Sequence, residues 1–255
     1  MNQMHQPLVG VARDGLVRVV TLGGGKAHVL SLDMIRALHA AIDAEDDTTV
    51  IVLRAPGHIF CAGHDLKEIA RHRADPDDGR AYLEELFRAC GAMMQAVTFS
   101  PRPVLAVVEG IATAGGLQLV AACDLAFATP SATFCLPGVV NGGFCTTPAV
   151  AVSRSMSRKH VMELALSGDR YSADWALSAG LVNRILPPEE LVPFVMDFAR
   201  TLSGRNARAV ADGKRTLYRQ LEMPLDQAYE TATEVMIGHF MDPLRMAKER
   251  ENWKG

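Results

Sequence analysis

The sequence lacks an excess of either charge. Lys plus Arg is 26 and Asp plus Glu is 29 in 255 residues, a net charge of −3. Affinity for nucleic acid rests largely on Lys and Arg neutralising phosphates, and no zinc-finger or RNP pattern is present. Nucleic acid is therefore not the expected partner. The cysteines are few: Cys61, Cys90, Cys123, Cys135 and Cys145. They are odd in number and no two have CxxC spacing, which argues against a disulfide framework and for free thiols in a reducing compartment. Residues 1–13 carry one Arg and no long apolar run. They read as neither a secretory signal nor an Arg-rich transit peptide, so a bacterial-type cytoplasmic location is expected. Residues 125–153 carry no Asp, Glu, Lys or Arg, yet a membrane span needs about 20 apolar helical residues. Pro130, Pro137 and Pro148, with Gly138, Gly142 and Gly143, break any single helix there. Protein interior, not membrane, is the expectation.

Several chemical signatures are also missing. Gly23-Gly24-Gly25-Lys26 is followed by Ala27, and no Gly stands at P-loop distance upstream. There is no GxGxxG after a strand, no GxSxG elbow and no HExxH, and the eight His residues do not cluster as metal ligands. Neither a metal nor a separate cofactor is expected.

Hydrophobic residues are 49% and charged residues 22%, which is globular composition. A compact monomer of this mass exposes roughly 11,000 Å², so a large core needs no staple. Residues 8–13 and 16–22 around Asp14-Gly15 predict a hairpin. Ser31 is a good N-cap for a helix reaching about residue 45, with Leu32, Ile35, Leu38 and Ile42 as its apolar stripe. Residues 50–54 predict a buried strand, 55–64 a loop, and Asp65 the start of a short helix. Residues 78–99 predict a long amphipathic helix with Tyr82, Leu86, Met93 and Val97 inside. The near-continuous apolar run 104–108 predicts a strand covered on both faces. A small-residue loop to Gly116 then leads to a helix ending near Ala122, and 125–128 predicts another strand. After Thr147 the pattern turns helical, with one strand at 181–185. Pro187-Pro188 marks a boundary between an α/β body (1–188) and a C-terminal part (189–255) of three or four helices.

Two segments carry chemistry. One is Phe60-Cys61-Ala62-Gly63-His64-Asp65-Leu66-Lys67-Glu68. The other is Glu109-Gly110-Ile111-Ala112-Thr113-Ala114-Gly115-Gly116-Leu117-Gln118, continuing to Cys123-Asp124. Each places small residues after a buried strand at the start of a helix, where backbone N–H groups are unpaired and aim at an anion. Side by side, two such turns present two donors to one oxygen, an oxyanion hole. The alternative is that the glycines merely allow close packing of helix on strand.

FCAGHDLKE resembles the F-x-x-G-x-D-L-K-E signature of the enoyl-CoA hydratase/isomerase (crotonase) superfamily. The run PVLAVVEGIATAGGLQLVAACDLAFAT is similar to its second signature, where G-G-G-x-E-L precedes C-D. SGDRYSADWALSAGLVNRILPPEEL resembles its third block. Residues 21–31 are similar to its first loop, with Gly-Gly-Gly in place of Asn-Arg-Pro. The resemblance covers nearly the whole chain and is strongest to the enoyl-CoA hydratase domain-containing protein 3 type, whose animal members are mitochondrial. A matrix location is thus implied if a presequence has been removed.

The resemblance implies a ClpP-like spiral of ββα turns with a helical C-terminal region that makes trimers, often paired into hexamers. Leu191, Val195, Phe198 and Leu202, at helical spacing, are the expected contact stripe. It implies an acyl-CoA thioester as ligand, with coenzyme A entering as part of the substrate. The oxyanion donors carried over are the N–H groups of His64 and Gly115. Ala62, Gly63, Asp65, Leu66, Lys67 and Gly116 fall in the binding signatures. Lys26, Arg54 and Lys67 are candidates for adenine and phosphate contacts, against the plainer reading of solvated surface charge. Asp124 is expected to be structural.

The chain departs from the resemblance at the two glutamates that hydratases use to activate water. Gln118 stands at the first position and Gly138, in Phe134-Cys135-Leu136-Pro137-Gly138, at the second. From Gly110 to Ser153 the titratable side chains are only Cys123, Asp124, Cys135 and Cys145. An enzyme acting on acyl-CoA by carbonyl polarisation and an inactive acyl-CoA-binding or scaffold protein are both compatible with this. With the oxyanion donors in place, Gln118→Glu combined with Gly138→Glu is expected to raise hydration.

Overall fold

The computed structural model describes residues 7–253; the first six residues of the α/β body and the last two of the C-terminal part lie outside the described residues. β1 (Val9–Asp14) and β2 (Val17–Leu22) pair antiparallel with Asp14 opposite Val17. The loop is Gly15-Leu16, one residue later than expected, because Gly15 supplies the left-handed conformation (φ +58°) a two-residue hairpin needs.

In α1 (Leu32–Asp43), the Ser31 hydroxyl accepts from the Met34 N–H, and the predicted stripe is buried. The other end of α1 is held by Arg18 of β2, which is 2% exposed. Its guanidinium donates to the carbonyls of Ala41 (2.8 Å) and Ala44 (2.7 Å). Those orphan carbonyls form the negative end of the helix. Asp46 completes the clamp at 2.6 Å. The hydrogen bond from Arg18, seconded by Thr48, holds the Asp46 carboxyl well below the usual carboxylate range. A depressed folded pKa means that the unfolded chain takes up the proton first as pH falls. The stabilisation is therefore complete above the unfolded value near 3.8 and is lost on acidification below it. The melting temperature of wild type is expected to fall as the pH drops below about 4. Asp46→Asn is expected to melt lower at neutral pH with a shallower acid slope, readable by thermal denaturation across pH.

Two sheets are built in alternation. β3 (Val50–Arg54), β5 (Val104–Val108) and β7 (Leu125–Ala128) are each followed by a three-residue strand: β4 (Ile59–Cys61), β6 (Ile111–Thr113) and β8 (Thr133–Cys135). With β10 (Arg184–Ile185) the first set makes the sheet β1-β2-β3-β5-β7-β10. With β9 (Tyr171–Ser172) the second makes β4-β6-β8-β9. Neighbours are parallel except β1 with β2 and β8 with β9. After β4 come α2 (Leu66–His72) and α3 (Arg80–Phe99); after β6 comes α4 (Gly115–Ala122); after β8 come α5 (Thr146–Ser155), α6 (Arg158–Ser167) and α7 (Ala173–Ser178). This is a ββα spiral. The predicted loops 55–64 and 109–116 thus contain β4 and β6, β8 was not foreseen, and 181–185 shortens to two strand residues. Three residues show one alternation, too few to betray a period of two.

β3 and β5 are buried on both faces. Ile51, Leu53, Val104, Ala106 and Val108 pack with α1, α3 and α4, while Val50, Val52, Leu105 and Val107 face the other way. That second face is covered by α8 (Pro188–Ser203) through Leu191, Val195 and Ala199, with Phe198 and Leu202 partly buried against it. The stripe expected to join subunits is thus used inside the chain, because the sheet would otherwise expose Val and Leu side chains to water. Apolar packing accordingly continues across residue 188. Beyond it lie α9 (Ala207–Gln220), α10 (Leu225–Phe240) and α11 (Pro243–Asn252), with Pro224 and Asp242 as the caps that open the last two.

Candidate active site

β4 and β6 are parallel neighbours, with Ile59 opposite Ile111 and Cys61 opposite Ala112. Their C-terminal ends therefore lie together, and so do the turns that leave them. After β4 the chain passes through Ala62, Gly63 and His64 into α2. After β6 it passes through Ala114 into α4. A Cβ on Gly63 would stand 3.1 Å from the Gly115 nitrogen and 3.0 Å from Ala114 Cβ. A Cβ on Gly115 would stand 3.5 Å from both Gly63 Cα and His64 Cε1. The two turns abut with no room for side chains between them.

The local bonds leave the two donors free. The first turn is held by the N–H of Leu30 to Gly63 O (2.8 Å), Asp65 to Leu30 O (3.3 Å) and Ala62 to Ala27 O (3.0 Å). Gly63 has φ +83°. Among the described residues, none accepts from the His64 N–H. Gly115 is the first residue of α4, whose opening N–H groups have no intrahelical partner. Ala114, where the resemblance has Gly, sits at φ +51° and ψ −119°. Such strain is stored where a site over-determines it. Here the Ala114 N–H is tied to Cys135 O (2.9 Å) and its carbonyl accepts from Gln118 (3.0 Å).

The other sequence candidates separate by role. Gly116 is a packing glycine: a Cβ there would lie 2.1 Å from Cys61 O. The Asp65 carboxylate caps α2, accepting from Lys67 N–H (2.9 Å) and Glu68 N–H (3.2 Å). Leu66 is 70% exposed, and Lys26 and Lys67 are exposed. Arg54 pairs with Glu109 at 3.4 Å instead of standing free. The loop carrying Lys26 is pinned by His28, which sequence reading missed. Its ring nitrogens lie 2.9 Å from Gly23 O and 3.1 Å from Pro56 O, and it is buried. One His among eight carried no signal for this.

At the two positions where the resemblance has glutamates, Gln118 and Gly138, the side chains supply no acid or base. Gln118 is buried in α4, with its Oε1 unpartnered. At Gly138 a Cβ would lie 2.5 Å from the Cys145 nitrogen, 2.8 Å from the Phe144 carbonyl carbon and 3.0 Å from Cys145 Sγ. The segment 143–145 is folded over that position. Burial pushes the thiols of Cys123, Cys135 and Cys145 up, so they stay protonated at neutral pH. Asp124 is engaged elsewhere, bound to Lys214 and Tyr218. The His64 side chain stands beside the Gly115 turn, its Cε1 3.5 Å from where a Gly115 Cβ would be. Its ring stands edge-on to Phe87 at 5.1 Å, and burial pushes its pKa below the ordinary value. Among the described residues no group of three His, Cys, Asp or Glu could hold a metal ion, and no helix is long and apolar enough to cross a membrane.

The enoyl-CoA hydratase/isomerase family matches residues 19–252. Enoyl-CoA hydratase domain-containing protein 3, mitochondrial, of Mus musculus is 40% identical over 228 residues, 88% of this chain and 74% of that protein. A crystal structure of an enoyl-CoA hydratase/isomerase family protein from Silicibacter pomeroyi shares 55% identity with a TM-score of 0.88, covering 92% of this chain and all of that one. The crystal structure of human enoyl coenzyme A hydratase domain-containing protein 3 shares 34%, with a TM-score of 0.88 and 94% of each chain covered. Matching from residue 19 to residue 252 and superposing on these structures across the ββα spiral, the chain belongs to the enoyl-CoA hydratase/isomerase family and has the crotonase fold.

Proposed function

We propose that the protein binds an acyl-CoA thioester and polarises its carbonyl with the backbone N–H groups of His64 and Gly115. The observation that carries this is the abutment of the two turns, with the Gly115 nitrogen 3.1 Å from where a Gly63 side chain would begin. Preorganised amide donors are worth most where charge develops on an oxygen away from water. The coenzyme A belongs to the ligand, and no separate cofactor enters the scheme. Proline has no N–H to donate. Gly115→Pro is therefore expected to weaken butyryl-CoA binding at least about 10-fold, with far less effect on free coenzyme A. Titration calorimetry reads both, and equal losses would count against an oxyanion hole.

Family membership makes a hydratase or isomerase the first expectation. A second reading, a binding or scaffold protein without turnover, is favoured by one observation: the place of the second glutamate is occupied by the backbone of Phe144 and Cys145. Both readings need the thioester site.

We also propose a homotrimer or a pair of trimers, built on α9–α11. In these helices only Ala228 is buried, while Leu225, Tyr229 and Leu244 in them and Leu221, Met241 and Trp253 at their C-terminal ends are each at least 63% exposed. The chain exposes 14409 Å², about a third more than a compact monomer of its mass. Light scattering at micromolar concentration is expected to report a multiple of three; a stable monomer would contradict the assembly. Five free cysteines suit a reducing compartment, cytoplasm or mitochondrial matrix.

A further inference from the structure

The connection between β2 and α1 opens with Gly23, Gly24 and Gly25, and glycine loses the most conformational freedom on ordering. Gly24 and Gly25 stand at φ +72° and +104°. The ends of this stretch are nevertheless fixed. The Gly23 N–H donates to Leu8 O at 2.8 Å, and Ala27 O accepts from the Ala62 N–H at 3.0 Å. His28 follows, 4% exposed and at φ +44°, a conformation uncommon for a residue with a side chain. Its Nδ1 lies 2.9 Å from Gly23 O and its Nε2 3.1 Å from Pro56 O. Gly23 belongs to its own loop, Pro56 to the connection between β3 and β4. Both partners are carbonyls, and a carbonyl only accepts. A neutral imidazole donates through one nitrogen, an imidazolium through both. The two bonds therefore exist together only when the ring carries its second proton. Without it, one nitrogen turns a lone pair toward a carbonyl and that bond is lost. Among the described residues neither ring nitrogen has a carboxylate partner. The charged or titratable groups of the segments around the ring are Lys26 on its own loop, Arg54 and His58 on either side of Pro56, and His64 and Asp65 on the turn beside residues 27–30. Arg54 is paired with Glu109, and Asp65 caps α2.

We propose that His28 is a proton-dependent positioning residue for ligand binding: its imidazolium closes the glycine loop on itself and fastens it to Pro56, and the neutral ring releases one of the two. Residues 27–30 lie along the turn that carries the His64 donor, with the Leu30 N–H donating to Gly63 O at 2.8 Å. The closed loop thus holds the exposed Lys26 at the rim of that site. Coenzyme A brings phosphates. An ammonium on a fixed loop binds them better than one on a loose glycine loop, which must first lose its freedom. The choice of ligand rests on the acyl-CoA reading above; the joint between two carbonyls does not. His28 touches no reacting atom, and the only bond made or broken is its own N–H, with solvent as the proton source.

The test has two arms. Nitrogen NMR of protein carrying isotope-labelled histidine reads the ring, with the His28 signals identified by their absence from His28→Asn. Asparagine tolerates positive φ and does not titrate. The wild-type ring is expected to carry a proton on both nitrogens at about pH 6 and on one at about pH 8. Calorimetric titration with free coenzyme A and with butyryl-CoA follows at both pH values. Passing from the higher pH to the lower is expected to tighten binding to wild type at least about 10-fold more than binding to His28→Asn, the contribution of one hydrogen bond from a charged group. Changes in the ligand phosphates, His58 and His64 are common to both proteins and cancel in that comparison. Equal pH dependence in the two proteins overturns the proposal, as does a His28 ring with a single proton at the lower pH; in both cases the acyl-CoA reading stands. If neither ligand binds at either pH, the reading and the positioning role fall together. If His28→Asn does not fold, His28→Gly, which fits the positive φ without strain, takes its place.

Discussion

Purified wild-type protein is expected to hydrate crotonyl-CoA at least about 10³-fold more slowly than a hydratase carrying both glutamates. Positioned acid–base groups each contribute roughly 10²–10⁴-fold, and this site holds neither. Gln118 is an amide, Gly138 has no side chain, and the three thiols nearby are pushed up by burial. The paired substitution that the sequence suggested as a repair meets an obstacle. Gln118→Glu replaces one planar group by another of the same shape. Gly138→Glu would place its Cβ 2.5 Å from the Cys145 nitrogen, and backbone does not step aside as the end of a flexible side chain does. The double variant is therefore expected to show no recovery and to lose about 1–3 kcal/mol of stability to overpacking. The decay of the conjugated enoyl-thioester absorbance checks both statements. Rapid decay with the wild-type protein would sink the first, and would assign the chemistry to Gln118, His64 or a cysteine.

The second large effect lies away from the site. Asp124 leaves the C-terminal end of α4 and is a hub for three partners. Its Oδ2 accepts from the Lys214 ammonium at 2.6 Å and from the Val104 N–H at 2.7 Å, and its Oδ1 accepts from the Tyr218 hydroxyl at 2.9 Å. The side chains of Lys214 and Asp124 are 7% and 16% exposed. Lys214 and Tyr218 both belong to α9, so this cluster anchors the C-terminal helices to the edge of the core. Removing one member of a buried pair leaves an uncompensated charge and costs about 3–5 kcal/mol. Asp124→Ala is expected to lower the melting temperature by roughly 10 °C in a chain of this size. Adding Lys214→Met removes the stranded ammonium and is expected to restore part of that loss, a non-additivity that a double-mutant cycle measures. Additive losses would mean that the pair does not act as a unit.

Residues close together in sequence were read well from sequence alone. The Ser31 cap, the buried stripe of α1, the buried face of α3 with Tyr82, Leu86, Met93 and Val97, and the apolar runs β3, β5 and β7 all stand where the local pattern put them. Periodicity over five or more residues is a strong signal, because each buried side chain repeats the same preference for leaving water. The signature segments and the family they belong to were legible for a different reason: several particular residues at fixed spacing are improbable together. The strands β4, β6 and β8 were invisible because three residues carry almost no period. The α8 stripe was correctly seen as apolar but assigned to the wrong partner, since a stripe does not say whether the surface it covers is its own sheet or a neighbouring subunit.

What the residues determined by themselves is thus the family, the longer strands and helices, an amide and a glycine where the resemblance has glutamates, and the two small-residue turns that open helices. What only the tertiary structure decided is distance. It set Gly63 against the Gly115 amide, made Gly116 a packing glycine, folded residues 143–145 over Gly138 and bound Asp124 to a lysine 90 residues away. Each of these is a contact between segments brought together by parallel pairing or helix docking. A pattern along one segment constrains which face is buried, and carries no information about which atoms wait on the other side.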